Sequence, residues 1–144
     1  MCRSRTQTSA GLPSKTPSGF CSATRKAPSS TRCNAARGAL FETWVVGEFI
    51  KQRLNAGRPP DLYFWRDNVG HEVDLIFETP QGLQAVEIKS GSTFASDWPQ
   101  AAHQWQAVVG GDATPSPWII FGGESRYTRQ GSEVWGWRQW CDQA

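Results

Sequence analysis

The residues best suited to chemistry lie in one short stretch, HEVDLIFETPQGLQAVEIKS, residues 71–90. Two apolar, alternating runs flank Thr79-Pro80-Gln81-Gly82, which suits a type I turn with Pro second and Gly fourth. Strand interiors normally avoid Asp and Glu, yet Asp74 sits within the first run and the triplet Glu87-Ile88-Lys89 within the second. A hairpin folded symmetrically about Pro80 and Gln81 sets Phe77 against Gln84, Leu75 against Val86 and Val73 against Ile88, which gives one apolar face. On the other face Asp74 falls opposite Glu87, and Glu72 opposite Lys89. Opposed strand residues hold their Cβ atoms roughly 4.5–5.5 Å apart, and like charges so placed destabilise a sheet. A divalent cation between the two carboxylates would offset the repulsion. Lys89, two residues along on the face of Glu87, would do so in part. The alternative is a solvated face on which Glu72 pairs with Lys89 and the other acids point into water. A one-residue change of turn type would shift the register and remove the opposition of Asp74 and Glu87.

Other elements must position these groups. The segment GALFETWVVGEFIKQRL predicts a helix, apolar on most of its circumference and therefore largely buried. Gly-Arg-Pro-Pro at 57–60 ends it. DLYFWRD predicts a strand, and NVG turns the chain into the hairpin. A second helix is expected over SDWPQAAHQWQAVVGG, capped by Ser96 or Asp97, with Pro99 in its first turn and Gly110-Gly111 as its stop. PWIIFGG reads as a buried strand and SEVWGWRQW as a last edge strand. The order α-β-β-β-α-β, then one more β, implies an α/β fold with a mixed central sheet and helices on both sides.

The first helix carries two acids. Glu48 has Lys51 and Gln52 at i+3 and i+4, an ordinary solvated pairing. Glu42 has Val45 and Val46 there instead, so it emerges among apolar neighbours and needs a partner. His71 and His103 read as exposed histidines, and most of the eight tryptophans as core, with Trp135, Trp137 and Trp140 the least certain.

Composition separates the chain into two parts. The first 37 residues carry seven Lys or Arg and no acid; the other 107 carry eight basic and thirteen acidic side chains, a balance of −5. Residues 1–37 are rich in Ser, Thr, Pro and Arg and predict a disordered basic tail. Its composition suits a transit peptide, a basic arm for nucleic acid, or a mis-called or frameshifted segment ahead of a domain at 38–144. The four cysteines, at 2, 21, 33 and 141, show neither metal spacing nor a disulfide framework, so a cytoplasmic setting is expected. No apolar run is long enough to span a membrane.

An acid on the first helix, then Asp, then Glu-x-Lys on adjacent strands, resembles the PD-(D/E)XK nuclease superfamily, with its restriction-endonuclease-like αβββαβ core. GALFETWVVGEFIKQ, LYFWRDNVGHEVDLIFE, VEIKSG and IIFGG are more closely similar to an uncharacterised domain at the C-terminus of prokaryotic AAA-type ATPases. The resemblance covers about residues 38–140. In that family an ATPase module precedes the domain, whereas this sequence has no G-x-x-x-x-G-K-S/T phosphate loop, which suggests a fragment or a frameshift. The resemblance implies that Asp74 and Glu87 bind a catalytic Mg²⁺, or Mn²⁺ in its place, and that Glu42 completes the acidic cluster. Lys89 would orient the attacking water or stabilise charge at the phosphate. Val73 stands where the motif has proline. Gln100 and Gln104 are similar to a glutamine found near the site in RecB-like members.

Three functions follow as expectations. The first is a Mg²⁺-dependent phosphodiesterase acting on DNA, as a detached C-terminal domain of an AAA-type ATPase. The second is a non-catalytic nucleic-acid or partner recognition module of such an ATPase. The third is a truncated gene product. Four candidate positions in the right order favour chemistry, while the balance of −5 is unlike the basic surfaces that DNA binding rests on.

Overall fold

Trp118-Ile119-Ile120-Phe121 has no polar position to turn toward water, and the sheet it joins is covered on both faces. A computed structural model describes residues 30–110 and 114–143. The elements are α1 (Ser30–Asn55), β1 (Leu62–Arg66), β2 (Glu72–Thr79), β3 (Gly82–Lys89), α2 (Gln100–Val109), β4 (Trp118–Phe121), β5 (Arg126–Arg129), β6 (Ser132–Gly136) and α3 (Trp137–Cys141). They build one six-stranded sheet in the order β1-β2-β3-β4-β6-β5. β1, β2 and β3 form an antiparallel meander, β3, β4 and β6 run parallel, and β5 returns antiparallel along β6. Parallel neighbours need a crossover, and α2 lies in the one between β3 and β4. The expected α/β class, a mixed sheet flanked by helices, is the one observed.

Period-two alternation divides the core between the two faces. On one face Val45 and Phe49 of α1 and Trp140 of α3 pack on Leu75, Phe77, Val86, Ile88, Ile120 and Trp135. On the other, Ala102 and Trp105 of α2 pack on Val73, Ile76 and Ala85. Ile119, Phe121 and Val134 continue that second face beneath Phe94 and Trp98.

Four local expectations are corrected. α1 begins at Ser30 rather than Gly38, so residues 30–37, assigned to the tail, are helical; the expectation for residues 1–29 lies outside the described residues. α1 is also far from buried. Val45 and Phe49 reach the core, one turn apart on one stripe, while Leu40, Trp44 and Leu54 are exposed. Neither Ser96 nor Asp97 caps α2: Pro99 holds the N-cap position without a side-chain bond. The final segment is not a single edge strand. Ser132–Gly136 is the inner strand β6, the chain then coils into α3, and the edge is β5, which the sequence reading missed. Gln130 and Gly131, both at positive φ, make the tight turn between β5 and β6.

Candidate active site

Thr79-Pro80-Gln81-Gly82 closes the β2–β3 hairpin as its turn chemistry requires. Gly82 adopts φ 119°, and the Thr79 hydroxyl donates to the Gly82 carbonyl at 2.8 Å. The ladder then runs in the expected register, from Thr79 opposite Gly82 to Leu75 opposite Val86. Beyond Leu75 it departs from expectation. Along β1, Tyr63 pairs with Ile76 but Trp65 with Val73, so β2 spends one more residue than β1 over the same span. The extra residue is a bulge at Asp74–Leu75. It moves Val73 from the face of Leu75 and Phe77 to the face of Ile76, where Val73 packs with Ala85, Ala102 and Trp105. The predicted Val73–Ile88 apolar pair is therefore corrected. Bulges re-aim side chains where a ladder ends, and here the re-aimed side chain is Asp74.

Its carboxylate fills the gap that the bulge opens. The Ile88 N–H, which a regular ladder would send to a main-chain carbonyl of β2, donates to Asp74 Oδ2 at 2.7 Å. Asparagine at 74 would keep an acceptor there, and alanine would leave the amide bare. Urea denaturation should find Asp74→Ala less stable than Asp74→Asn by about 1–3 kcal/mol; equal stabilities would show that the side chain does not close the gap.

Lys89 joins the two acids. Its Nζ stands 2.8 Å from Glu87 Oε2 and 3.4 Å from Asp74 Oδ2. The alternative pairing with Glu72 does not form, and Glu72 faces Arg66 at 3.8 Å. Burial grades across the trio: the side chains of Glu87, Asp74 and Lys89 are 1%, 12% and 30% exposed. Desolvation pushes the Glu87 carboxyl up to about 7, with Asp74 adding to the rise and Lys89 opposing it. Burial alone would lower the Lys89 ammonium, but Glu87 and Asp74 together reverse this and leave it above its ordinary value. Glu87 Oε1 is buried without a hydrogen-bond partner.

The end of β3 is pinned by its neighbours. The Gly122 N–H donates to the carbonyls of both Lys89 and Gly91 at 3.0 Å. A Cβ at Gly122 would lie 2.6 Å from the Ser90 carbonyl oxygen, so only glycine permits this approach. From α1, Arg37 Nη2 donates to the same Ser90 oxygen at 2.6 Å. The sequence reading missed Arg37 because it assigned residues 1–37 to the tail.

Glu42 faces this cluster from α1. Its carboxyl is raised, first by desolvation and then by Asp74, with Lys89 lowering it and Glu72 raising it. It stands in the field of the trio, yet among the described residues it makes no ion pair with any of them. Glu48 pairs with Lys51 as expected. His71 Nδ1 lies 2.6 Å from Asp67 Oδ2, and Asp67 Oδ1 accepts the N–H groups of Val69, Gly70 and His71. The contact with His71 and these amides hold Asp67 at about 2, and the set organises the β1–β2 turn. His103 reaches Ser132 Oγ at 3.2 Å, while Gln100 and Gln104 are exposed on α2.

Among the described residues no group of three or more His, Cys, Asp or Glu is gathered as a metal site. A hard cation such as Mg²⁺ needs less, being held by one or two carboxylates with waters and phosphate oxygens. Asp74 and Glu87 are two adjacent carboxylates, and the unpartnered Glu87 Oε1 is an oxygen of the type such an ion takes. The donor set fits a hard divalent cation.

The molecule is thus a mixed α/β domain with a carboxylate–lysine cluster at the point where an antiparallel hairpin parts. Residues 37–140 match the model of a domain of unknown function, DUF4143, and the chain belongs to that family, an uncharacterised one often found with AAA-type ATPases. No curated protein matches the sequence. Among the described residues no helix is long and apolar enough to cross a membrane.

Proposed function

We propose that this domain is a Mg²⁺-dependent phosphodiesterase acting on DNA, with a restriction-endonuclease-like core of the PD-(D/E)XK kind and a parent AAA-type ATPase as its partner. The observation that carries the reading is Lys89 in contact with both Asp74 and Glu87 where β2 parts from β3. Asp74 and Glu87 would hold the ion, with Glu42 as a further acid facing the cluster. An Mg²⁺ or Mn²⁺ ion held by Asp74 and Glu87 would supply polarisation of the phosphoryl group and a lowered pKa for the attacking water. Lys89 remains an ammonium at neutral pH, so it does not act as a base. It orients the water or stabilises charge on the phosphate through donors that the two acids already align. Glu87 must lose its proton before Oε1 can serve as a ligand, so ion binding and activity weaken as pH falls.

A recognition module without catalysis is the second reading. It is favoured by the −5 balance of residues 38–144 and by exposed Leu40, Phe64, Val69 and Val108. The purified chain, given single-stranded and duplex DNA, is expected to cleave with Mg²⁺ or Mn²⁺, to be silent in chelator, and to lose cleavage in Asp74→Ala. Metal-dependent binding without cleavage would favour the recognition module, and cleavage surviving Asp74→Ala would remove the assigned site.

A further inference from the structure

Three parallel strands, β3, β4 and β6, end side by side, and the residue following each end (Ser90, Gly122 and Trp137) lines one cavity of about 330 Å³. Ligands of α/β sheets gather outside the carboxyl ends of parallel strands. The opposite wall comes from α1: Arg37, Phe41 and Trp44. The lining is aromatic. Trp44 meets Trp137 edge to face at 5.3 Å and Phe41 at 6.1 Å, and the Arg138 guanidinium sits 4.8 Å from the centre of the Trp137 ring. Trp44 remains 37% exposed although apolar neighbours surround it. Lys89 immediately precedes Ser90 on β3 and Glu42 immediately follows Phe41 on α1, so both elements that wall the cavity also carry groups of the carboxylate–lysine cluster.

We propose that this cavity binds an unpaired nucleobase, so that the preferred substrate is single-stranded DNA with one base held beside the cleaved phosphate. Aromatic faces and an arginine beside a cationic group form the chemistry of a single-strand site, where stacking is tolerant of base identity. Duplex DNA keeps its bases paired and stacked internally, out of reach of Phe41 and Trp44. Arg37 already donates to the Ser90 carbonyl, and the rest of its guanidinium supplies positive charge for an adjoining phosphate. The proposal rests on the phosphodiesterase reading only for the fate of the bound strand.

The test uses the whole chain in chelator, with a short labelled oligothymidylate and a duplex of equal length, read by fluorescence anisotropy. The single strand should bind on the order of tenfold tighter than the duplex. Trp44→Ala should erase that preference and Trp44→Phe should keep it. Trp44 is partly exposed on a helix, where alanine preserves backbone propensity, and Phe41→Ala gives an independent second reading. Equal binding of the two DNAs, tighter binding of the duplex, no binding of either, or a preference that survives both alanine variants would overturn the proposal. Adding Mg²⁺ or Mn²⁺ separates the two claims. A Trp44-dependent preference without cleavage leaves the base pocket standing and overturns the phosphodiesterase reading. Cleavage without the preference does the reverse.

Discussion

At pH 8 the Glu87→Gln protein should be inactive and should melt roughly 5–10 °C above its parent. The buried carboxyl of Glu87 is raised from 4.5 to about 7, chiefly by desolvation. Between those values the folded chain holds a proton that the unfolded chain has released. Stability therefore falls as pH rises through this window, is unaffected below about 4.5, and reaches its full loss above about 7. The shift corresponds to about 3 kcal/mol, of which glutamine recovers the greater part, because its amide carries no charge to desolvate. Cleavage should fall by at least about a hundredfold, since the amide oxygen is a poor substitute for an anionic ligand. Thermal melts at pH 5 and pH 8 check the claim. The advantage of Glu87→Gln should be confined to the higher pH, and an advantage equal at both would show that the charge of Glu87 is not its source.

Lys89→Met should have the opposite effect on stability and the same effect on activity. Among the described residues Glu87 loses the one cation in contact with it, and Asp74 then faces it uncompensated. Lys89→Met should therefore be less stable than its parent at pH 8 by about 1–2 kcal/mol, because Glu87 takes up a proton rather than stand as a bare buried anion. Removing Lys89 also removes what lowers the Glu87 carboxyl, so Glu87 stays protonated to still higher pH and the deficit shrinks toward pH 5. Cleavage should fall by about two to three orders of magnitude. Adding Glu87→Gln to Lys89→Met should restore most of the stability and none of the activity. Urea denaturation of the two single variants and the double variant measures this coupling, and strict additivity would show that Glu87 and Lys89 do not act as a unit.

The hairpin was legible because its turn chemistry and its alternation agree: Thr-Pro-Gln-Gly fixed the register as far as Leu75 and Val86. That register, with Glu-x-Lys in period two, was enough to bring Glu87 and Lys89 to one face. The bulge at Asp74 was not legible. Val73, Leu75, Ile76 and Phe77 are all apolar and both faces of the sheet are covered, so shifting Val73 to the other face violates no pattern. Trp135-Gly136-Trp137 alternates like a strand, yet Gly136 ends β6, and Trp137 and Trp140 then stand at helical spacing with Trp140 in the core. For α1, apolar content suggested burial. The sheet offers one stripe for Val45 and Phe49, with Phe41 and Val46 packed partly against it, while Leu40 and Leu54 face solvent and Trp44 lines the aromatic cavity. β5 escaped because Arg-Tyr-Thr-Arg is an edge strand with one half-buried side chain and no apolar alternation to mark it.

The carboxylate of Asp74 closes a ladder that the main chain leaves open, and this bears on how such a domain would decay over evolutionary time. If the domain is the phosphodiesterase proposed above, the acids of the cluster are not equally dispensable once catalysis is no longer selected. Glu87 is a burden on the fold above neutral pH, so a lineage freed from chemistry gains by shedding it, and Lys89 loses its main partner when it goes. Asp74 carries a backbone hydrogen bond whatever the chemistry. Silent descendants should therefore lose Glu87 first, drift at Lys89 next, and keep Asp or Asn at 74 longest. The acid that persists in a dead copy would be the one that marks the fold, and Glu87 the one that marks the enzyme.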